Sequence, residues 1–598
     1  MKFKELAIYL DRLEKTASRI EITEILAELF NKLSAEEIDK AVYLLLGKLA
    51  PNYEGIVFNV AERMMMRALS GAYGIDQKEV IKKFKELGDL GDTSCKLAQI
   101  TNHKSQITNF LVSQVYDTLK KIAQDEGEGS QERKIEAMAD LLKSLDLLSV
   151  RFVARIPVGK LRLGFSDITI LDALSWMKNG DKSAKKELEK AYFVLPDVGQ
   201  LAKLVKKMGI KKAVEKVHPE VGVPVLPMLA QRLKSPDEMI AKMGTVAVEP
   251  KYDGLRMLIH YRKVDHSQKG RKEFIRAFTR NMNLIETEVF PELTKVGKLI
   301  KATEVILDTE AVGMDSKRQR IVDFQKTMQR RRKHEVGKSA GEVPLQFQVF
   351  DILLKDGKNL LNKTYLERRK ELKKVLGDCG RRDVLRVDEY EITDNPDRIR
   401  KLHKQYLKKG LEGVIVKKID GKYVSGRTGW RWVKMKEEES AKAKLADTVD
   451  AVIMGYYAGR GKRSQFGLGG FLVGVLANKN QESRIKNQEF EEGKIYTLTK
   501  VGTGLTDEQF RELKKRLVKL EIGKKPKEYG KVAKNLIPDI WVSLDLVVEL
   551  AADEVTKSSV HSAGYALRFP RLVKFRDDKS VEQITTVEEI KKLFGLQR

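Results

Sequence analysis

Three prolines fall within nine positions at residues 219–227 (Pro219, Pro224 and Pro227), and the hydrophobic pattern differs on the two sides of them. Proline fixes φ and removes a backbone donor, so neither a helix interior nor a central strand runs through such a stretch. It reads as a linker that ends one domain and begins another. Before it, up to about residue 215, apolar residues recur at three and four. Ile22, Leu26, Leu29 and Phe30 form one such set, and Val42, Leu45 and Leu46 another. That is the spacing of one helix face. Pro51 and Pro157 stand at breaks between helical runs, and Glu126-Gly127-Glu128-Gly129-Ser130 reads as an exposed inter-helix loop.

After the prolines the pattern changes. From about 228 to 436, apolar runs such as Val414-Ile415-Val416 alternate with charged helical stretches such as 365–375. That is an α+β pattern. After about 440 the chain becomes strand-rich, with short apolar runs at 449–457, 470–476 and 541–550 separated by glycine clusters such as Gly467-Leu468-Gly469-Gly470. A small β-barrel is expected there, closed by a last helical piece at 587–594. No internal repeat is visible. At 598 residues the chain is too long for one core, so a multidomain fold is expected: all-α, then α+β, then β-barrel.

The formal net charge is +28 and the isoelectric point is about 9.6. Such an excess calls for a polyanionic partner, nucleic acid first among them. Two cysteines, Cys95 and Cys379, exclude a disulfide scaffold and a cysteine-rich zinc site, and point to a reducing compartment. The first residues carry charges every few positions, and no run is long and apolar enough to span a bilayer. An intracellular, nucleoid-associated protein with no membrane segment is expected.

The stretch Glu249-Pro250-Lys251-Tyr252-Asp253-Gly254-Leu255-Arg256 places Lys-x-Asp-Gly between two strand-like runs, 246–248 and 255–261. The pattern recurs at Lys418-Ile419-Asp420-Gly421, where Asp-Gly reads as a hairpin turn. Four residues are too few to decide alone. The flanking Glu249 and Arg256 single out Lys251. In order after it come Phe278-Thr279-Arg280-Asn281, Asp308-Thr309-Glu310, Val349-Phe350-Asp351, Leu411-Glu412-Gly413-Val414-Ile415-Val416-Lys417, Trp432-Val433-Lys434-Met435-Lys436 and Arg576-Asp577-Asp578-Lys579. Glu310 closes an apolar run and Glu412 opens one. A carboxylate beside a buried strand is costly without a partner, which favours function, although an exposed strand end gives the same pattern. Asp308 is a weaker third carboxylate or a turn residue. Lys434 and Lys436 alternate onto one strand face. Taken singly, Phe350 fits a core position, Arg280 a strand end and 432–437 a charged strand.

In this order, the motifs resemble the covalent nucleotidyltransferases, the superfamily of DNA ligases, RNA ligases and mRNA capping enzymes. Over nearly its whole length the chain is similar to ATP-dependent DNA ligases of the archaeal and eukaryotic replicative type. Further stretches carry this: Tyr53-Glu54-Gly55-Ile56 with Val60-Ala61-Glu62-Arg63-Met64, Gly159-Lys160-Leu161-Arg162-Leu163-Gly164 with Leu171-Asp172-Ala173-Leu174, Val223-Pro224-Val225-Leu226-Pro227-Met228, and Leu567-Arg568-Phe569-Pro570-Arg571.

The resemblance implies a helical DNA-binding domain over 1–215, an adenylation (nucleotidyltransferase) domain over 216–436 and an OB-fold domain over 437–598, encircling nicked duplex DNA. It makes Lys251 the nucleophile that takes AMP from ATP. A lysine attacking phosphorus must be neutral, and its ordinary pKa is about 10.4, so the site has to lower it. Lys434 and Lys436 are assigned to that task and to holding phosphate charge. Glu310 and Glu412 are the expected Mg²⁺ ligands. Phe350 stacks on the purine, worth about 1–3 kcal/mol, and Glu249 accepts from the adenine amino group. Arg256 and Arg280 contact the nucleotide, and Arg280 also the DNA end; Arg576 and Lys579 orient pyrophosphate. Phosphate contacts to DNA are expected from Arg162, from Arg330 and Arg331 in a basic cluster, and from Arg460 and Lys462, with a solvated charged face as the alternative. A monomer is expected. A sliding clamp is a further partner the resemblance allows, though no short stretch reads convincingly as its docking motif.

An RNA ligase or a capping-type nucleotidyltransferase is the alternative, disfavoured by some 200 helical residues before the lysine. An NAD-dependent ligase would need a cysteine zinc cluster. A catalytically inactive DNA-binding homologue is disfavoured because Lys251, Glu310, Glu412, Lys434 and Lys436 are all present. Residues 478–494 read as a long polar hairpin loop of no assignable role. Ser559 stands where the family often has proline.

Overall fold

The computed structural model describes the chain except residues 102–108, 160, 162, 234, 264–272, 286, 323–325, 328–329, 331–339, 378, 381–382, 427–428, 437–447, 460–465, 478–489, 503–504 and 597–598. It divides into two compact units, Met1–Met435 and Lys436–Arg598.

The first half of the first unit is helical, as the period of three and four predicts. Among the described residues, thirteen α-helices run from Phe3–Glu14 to Ile210–Lys216 around one continuous apolar core. The first helix shows the rule: Phe3, Leu6, Leu10 and Leu13 share its buried face. Short polar side chains satisfy the free N–H groups at helix starts, with Ser18, Asp89, Asp146 and Asp197 all accepting from the first turn. Arg155 lies within this region, 1% exposed. It reaches Asp89 at 2.8 Å, Glu14 at 3.0 Å and Asp92 at 3.2 Å, so one guanidinium ties together the segments that carry them. Asp197 also accepts from Tyr43 at 2.6 Å and Tyr53 at 3.2 Å.

The remainder of this unit is α+β. Its strands are β1 (Gln231–Arg232), β2 (Val246–Lys251), β3 (Leu255–Arg262), β4 (Phe274–Thr279), β5 (Leu284–Ile285), β6 (Glu304–Gly313), β7 (Leu345–Lys355), β8 (Lys358–Asn359), β9 (Leu385–Val387), β10 (Glu391–Thr393), β11 (Gly413–Lys418) and β12 (Trp432–Lys436). They form two sheets. The first has the order β1-β12-β11-β2-β10, and the second β5-β4-β3-β6-β7-β8, with β9 parallel to β7. β2 is buried along its length except at Lys251, as expected of a strand covered on both faces. Helix Tyr365–Leu376 begins with a capping box, Thr364 and Glu367, and buries Tyr365, Arg368 and Arg369.

The second unit is β-rich. Strands β13 (Val449–Tyr457), β14 (Gly470–Leu476) and β15 (Ile495–Val501) are antiparallel neighbours. β16 (Glu521–Ile522), β17 (Ile540–Val542), β18 (Val547–Ala551) and β21 (Arg571–Phe575) complete this sheet, while β19 (Glu554–Lys557) and β20 (Tyr565–Arg568) form a separate hairpin. The apolar run 541–550 is divided between β17 and β18 because the chain turns between them, and β13 pairs with both. The final helix is Val587–Leu596.

Candidate active site

The short link Tyr252-Asp253-Gly254 carries the chain from β2 in one sheet to β3 in the other. Lys251 therefore sits where the two sheets meet, at a cleft of about 770 Å³ lined by both. Gly254 is required by this crossing. A Cβ there would strike the backbone carbonyl oxygen of Ala311 on β6. The second Lys-x-Asp-Gly lacks such a setting: the Gly421 amide donates to the Lys418 carbonyl at 3.0 Å, and Lys418 is not among the residues lining the cleft. The chain does not fold straight back there, as the Lys418 amide meets the carbonyl of Arg431.

The first sheet supplies Glu249 and Lys251, two apart on β2 and so on one face. β11 pairs with β2 so that Gly413 lies opposite Lys251, and the Glu412 amide donates to the Lys251 carbonyl at 2.9 Å. This register brings the Glu412 carboxylate onto the Lys251 ammonium as an ion pair. Lys434 lines the cleft from β12; Lys436, at the end of that strand, is not among the lining residues.

The second sheet supplies Arg256 from β3, Glu310 from β6 and Phe350 from β7. Arg256 and Glu310 are register partners. Glu310 does not end its strand; β6 continues to Gly313 and holds it mid-strand. Burial pushes its carboxyl up to about 7, with Lys251 and Arg256 pulling it back and Asp308 and Glu412 adding to the rise. Arg256 grips Asp308 with two hydrogen bonds, of 3.0 and 2.6 Å, and donates to the Met228 carbonyl at 2.6 Å. Asp308 is fully buried and also accepts from Tyr423 at 2.8 Å, which makes it the anchor of Arg256. Arg280, Asn281 and Asn283 line the cleft from the turn between β4 and β5.

A buried ionic cluster forms part of the cleft wall, with Glu249, Lys417 and Asp388 among the lining residues. Glu249 is 2% exposed and Lys417 1%. The Lys417 ammonium meets one Glu249 oxygen at 2.5 Å, and the Tyr365 hydroxyl donates to the other at 2.5 Å. Asp388 accepts from the Tyr252 hydroxyl at 3.0 Å and is pushed well above the usual carboxylate range, by burial first and the Glu249 charge second. Arg369 donates to the Asp388 carbonyl.

Two carboxylates, Glu310 and Glu412, flank Lys251. Mg²⁺ takes one or two carboxylates together with substrate phosphates, and a half-buried carboxyl held near 7 is a group that gains from a divalent cation. Among the described residues, no group of three or more His, Cys, Asp or Glu side chains is arranged to hold a metal by itself.

Arg330 corrects an expectation. Its side chain is 1% exposed and forms a two-pronged ion pair with buried Glu292, at 2.9 and 3.0 Å. Glu292 in turn accepts the Leu345 amide at 3.0 Å. A guanidinium so enclosed is a core strut and does not reach a phosphate backbone. Arg162, Arg331, Arg460 and Lys462 lie outside the described residues. In the second unit, Arg576 pairs with Asp578 at 2.7 Å and Asp450 at 3.1 Å, and Lys579 reaches the same Asp450 at 2.6 Å. No helix among the described residues is long and apolar enough to cross a membrane.

Three family models match the chain in order: "DNA ligase N terminus" over 2–175, "ATP dependent DNA ligase domain" over 227–436 and "ATP dependent DNA ligase C terminal region" over 464–579. A protein named "Probable DNA ligase" from Dictyoglomus thermophilum is 37% identical over 607 aligned residues, covering 100% of this chain and 98% of its own. A "DNA ligase" from Sulfolobus acidocaldarius is 36% identical, covering 99% and 98%, and one from Pyrobaculum arsenaticum is 36% identical, covering 100% and 99%. A solved structure named Pmar-Lig_PreS3 shares the fold, with a TM-score of 0.52 at 19% identity, over 96% of this chain and 99% of its own. The curated relatives match from end to end and the three family models follow one another along the chain; it belongs to the ATP-dependent DNA ligases.

Proposed function

We propose that this chain seals nicks between a 3′-hydroxyl and a 5′-phosphate in duplex DNA, using ATP and an AMP carried on Lys251. The observation that carries the reading is the setting of Lys251: a lysine at the meeting of two sheets, ion-paired to Glu412, in a cleft that also holds Glu310, Arg256 and Phe350. The Lys251 amine bonds to the α-phosphorus of ATP, the bond to the β-phosphate oxygen breaks, and pyrophosphate leaves. The AMP then passes to the 5′-phosphate of the nick, freeing the lysine. The 3′-hydroxyl attacks that phosphorus and AMP departs.

Within this reading Glu249 accepts from the adenine amino group and the Phe350 ring stacks on the base. Arg256, held by Asp308, and Arg280 contact the nucleotide. Lys434 and Lys436 hold phosphate charge, and Arg576 and Lys579 orient pyrophosphate. Glu310 and Glu412 hold Mg²⁺, which offsets phosphate charge when bound. The helices of 1–215 form the DNA-binding domain, 216–436 the adenylation domain and 437–598 an OB-fold, with the antiparallel strands β13, β14 and β15 in support of the last. The protein acts as a monomer in the nucleoid.

Sealing of a singly nicked duplex with ATP and Mg²⁺, read on a denaturing gel, tests the activity. Lys251→Ala is expected to abolish transfer of label from radiolabelled ATP to protein while leaving binding to nicked duplex intact. Sealing with ATP by this variant would refute the assignment.

A further inference from the structure

The turn between β4 and β5 faces two ways. Short hydrogen bonds set its frame. The Thr279 amide donates to the Asn283 carbonyl at 2.9 Å, the Met282 amide to the Thr279 carbonyl at 2.7 Å, and the Asn283 amide to the Thr279 hydroxyl at 3.1 Å. Arg280, Asn281 and Asn283 line the cleft that holds Lys251. Met282 instead lines a second, smaller cavity of about 110 Å³. Every other described residue lining that cavity belongs to the helical region, Tyr43, Tyr53 and Tyr192 among them.

Met282 has a φ of 61°, in the left-handed region. That conformation suits glycine and costs a methionine, so it persists only where the surroundings hold it. What surrounds the side chain is the wall of the helical region, and that wall is fixed from within. Tyr43 and Tyr53 both donate to buried Asp197, at 2.6 and 3.2 Å, and Asp197 caps the helix Val198–Met208. A flexible thioether packs well against such an aromatic surface.

A second contact runs alongside. The short turn Asn52–Glu54 packs on β5, and a Cβ at Gly55 would lie 3.7 Å from the side chain of Leu284, itself a cleft residue. The helical region therefore touches the back of the same hairpin whose front faces Lys251. Arg280 is exposed, and one residue separates it from Met282 in a turn closed by its own hydrogen bonds. A shift at Met282 is passed to the Arg280 backbone.

We propose, on the reading of Arg280 as a contact to the DNA end, that Met282 is a positioning residue: by docking on the tyrosine-lined wall of the helical region it holds the Thr279–Asn283 turn so that Arg280 meets the 5′-phosphate of the nick. The helical region then shapes the cleft itself as well as binding duplex.

The test follows AMP transfer from full-length lysyl-AMP protein to the 5′-phosphate of a singly nicked duplex, at saturating DNA and single turnover. Wild type, Met282→Gly, Met282→Leu, Arg280→Ala and the double variant of Met282→Gly with Arg280→Ala are compared. Glycine takes this φ without strain, so Met282→Gly removes the docking and spares the turn. It is expected to slow transfer at least about tenfold, equivalent to about 1.4 kcal/mol. Met282→Leu keeps the apolar volume and is expected to recover most of the loss. In the Arg280→Ala background Met282→Gly is expected to add no further loss, because the two act as one unit, whereas a general structural role would add its whole factor again. Only adenylated protein contributes to the rate constant, so the fraction folded does not enter. Should Met282→Gly fail to fold, Tyr192→Ala removes part of the wall from the other side and goes through the same cycle with the same expectations. An unchanged rate in Met282→Gly, or full additivity, with transfer slowed by Arg280→Ala, overturns the inference and keeps the reading of Arg280. An unchanged rate in Arg280→Ala overturns that reading with it.

Discussion

Replacing Glu310 by glutamine separates what the cleft costs from what it does. Burial holds the Glu310 carboxyl at about 7 against an ordinary 4.5. At 1.36 kcal/mol for each tenfold, the ionised form above pH 7 costs the folded state about 3 kcal/mol. The sign follows from linkage. Between pH 4.5 and 7 the folded chain holds a proton that the unfolded chain releases, so this group's contribution falls as pH rises through that window and stays lost above it. Glu310→Gln removes the titration and keeps the shape. The variant is therefore expected to be more stable than the wild type at pH 8, by up to about 3 kcal/mol, and nearly equal to it at pH 5. Denaturant melts of the full chain with a chelator present, at both pH values, measure the gap. Added Mg²⁺ at pH 8 should raise the wild-type midpoint more than the variant's, while nucleotidylation by the variant is lost. A gap of the same size at both pH values, or a variant less stable at pH 8, would show that Glu310 is not the strained carboxylate described here.

Gly254→Ala forces a methyl group against the Ala311 carbonyl, a rigid obstacle. It is expected to cost about 1–3 kcal/mol in a melt and to slow lysyl-AMP formation by moving Lys251; unchanged values of both would contradict the crossing geometry. Arg330→Ala leaves Glu292 charged and buried, so a loss of about 3–5 kcal/mol is expected. The salt dependence of its DNA binding should match the wild type's, whereas loss of a phosphate contact would lower the slope by about one.

Glu249, Lys251, Arg256, Arg280, Glu310, Phe350 and Lys434 are far apart in sequence yet line one cleft. Their order along the chain made this legible, because it resembles the motif order of a known family; periodicity alone would not have, since β2, β6 and β7 are buried almost without a break. The change of pattern across the prolines was legible because helical spacing stops there. Lys417 was legible only as the last residue of the motif Leu411–Lys417 and carried no role, because its partners Glu249 and Tyr365 lie far off in sequence. Tyr365, Arg368 and Arg369 were hidden in a helix whose charges look like an exposed face. Arg330 misled for the converse reason: a run of basic residues records charge and says nothing of depth, and Glu292, 38 residues away, decides its fate.

Arg576 and Lys579 share the single carboxylate of Asp450, and Arg576 also holds Asp578. Their positive charge is thus already spoken for inside their own unit. Any phosphate that recruits them has to outbid Asp450, so engagement is an exchange of one anion for another. Such an exchange has a threshold: a singly charged anion gains little by it, whereas a polyphosphate can replace the carboxylate on both cations at once. Asp450, with Glu549 beside it on Arg576, is thus the internal anion that an incoming phosphate has to displace.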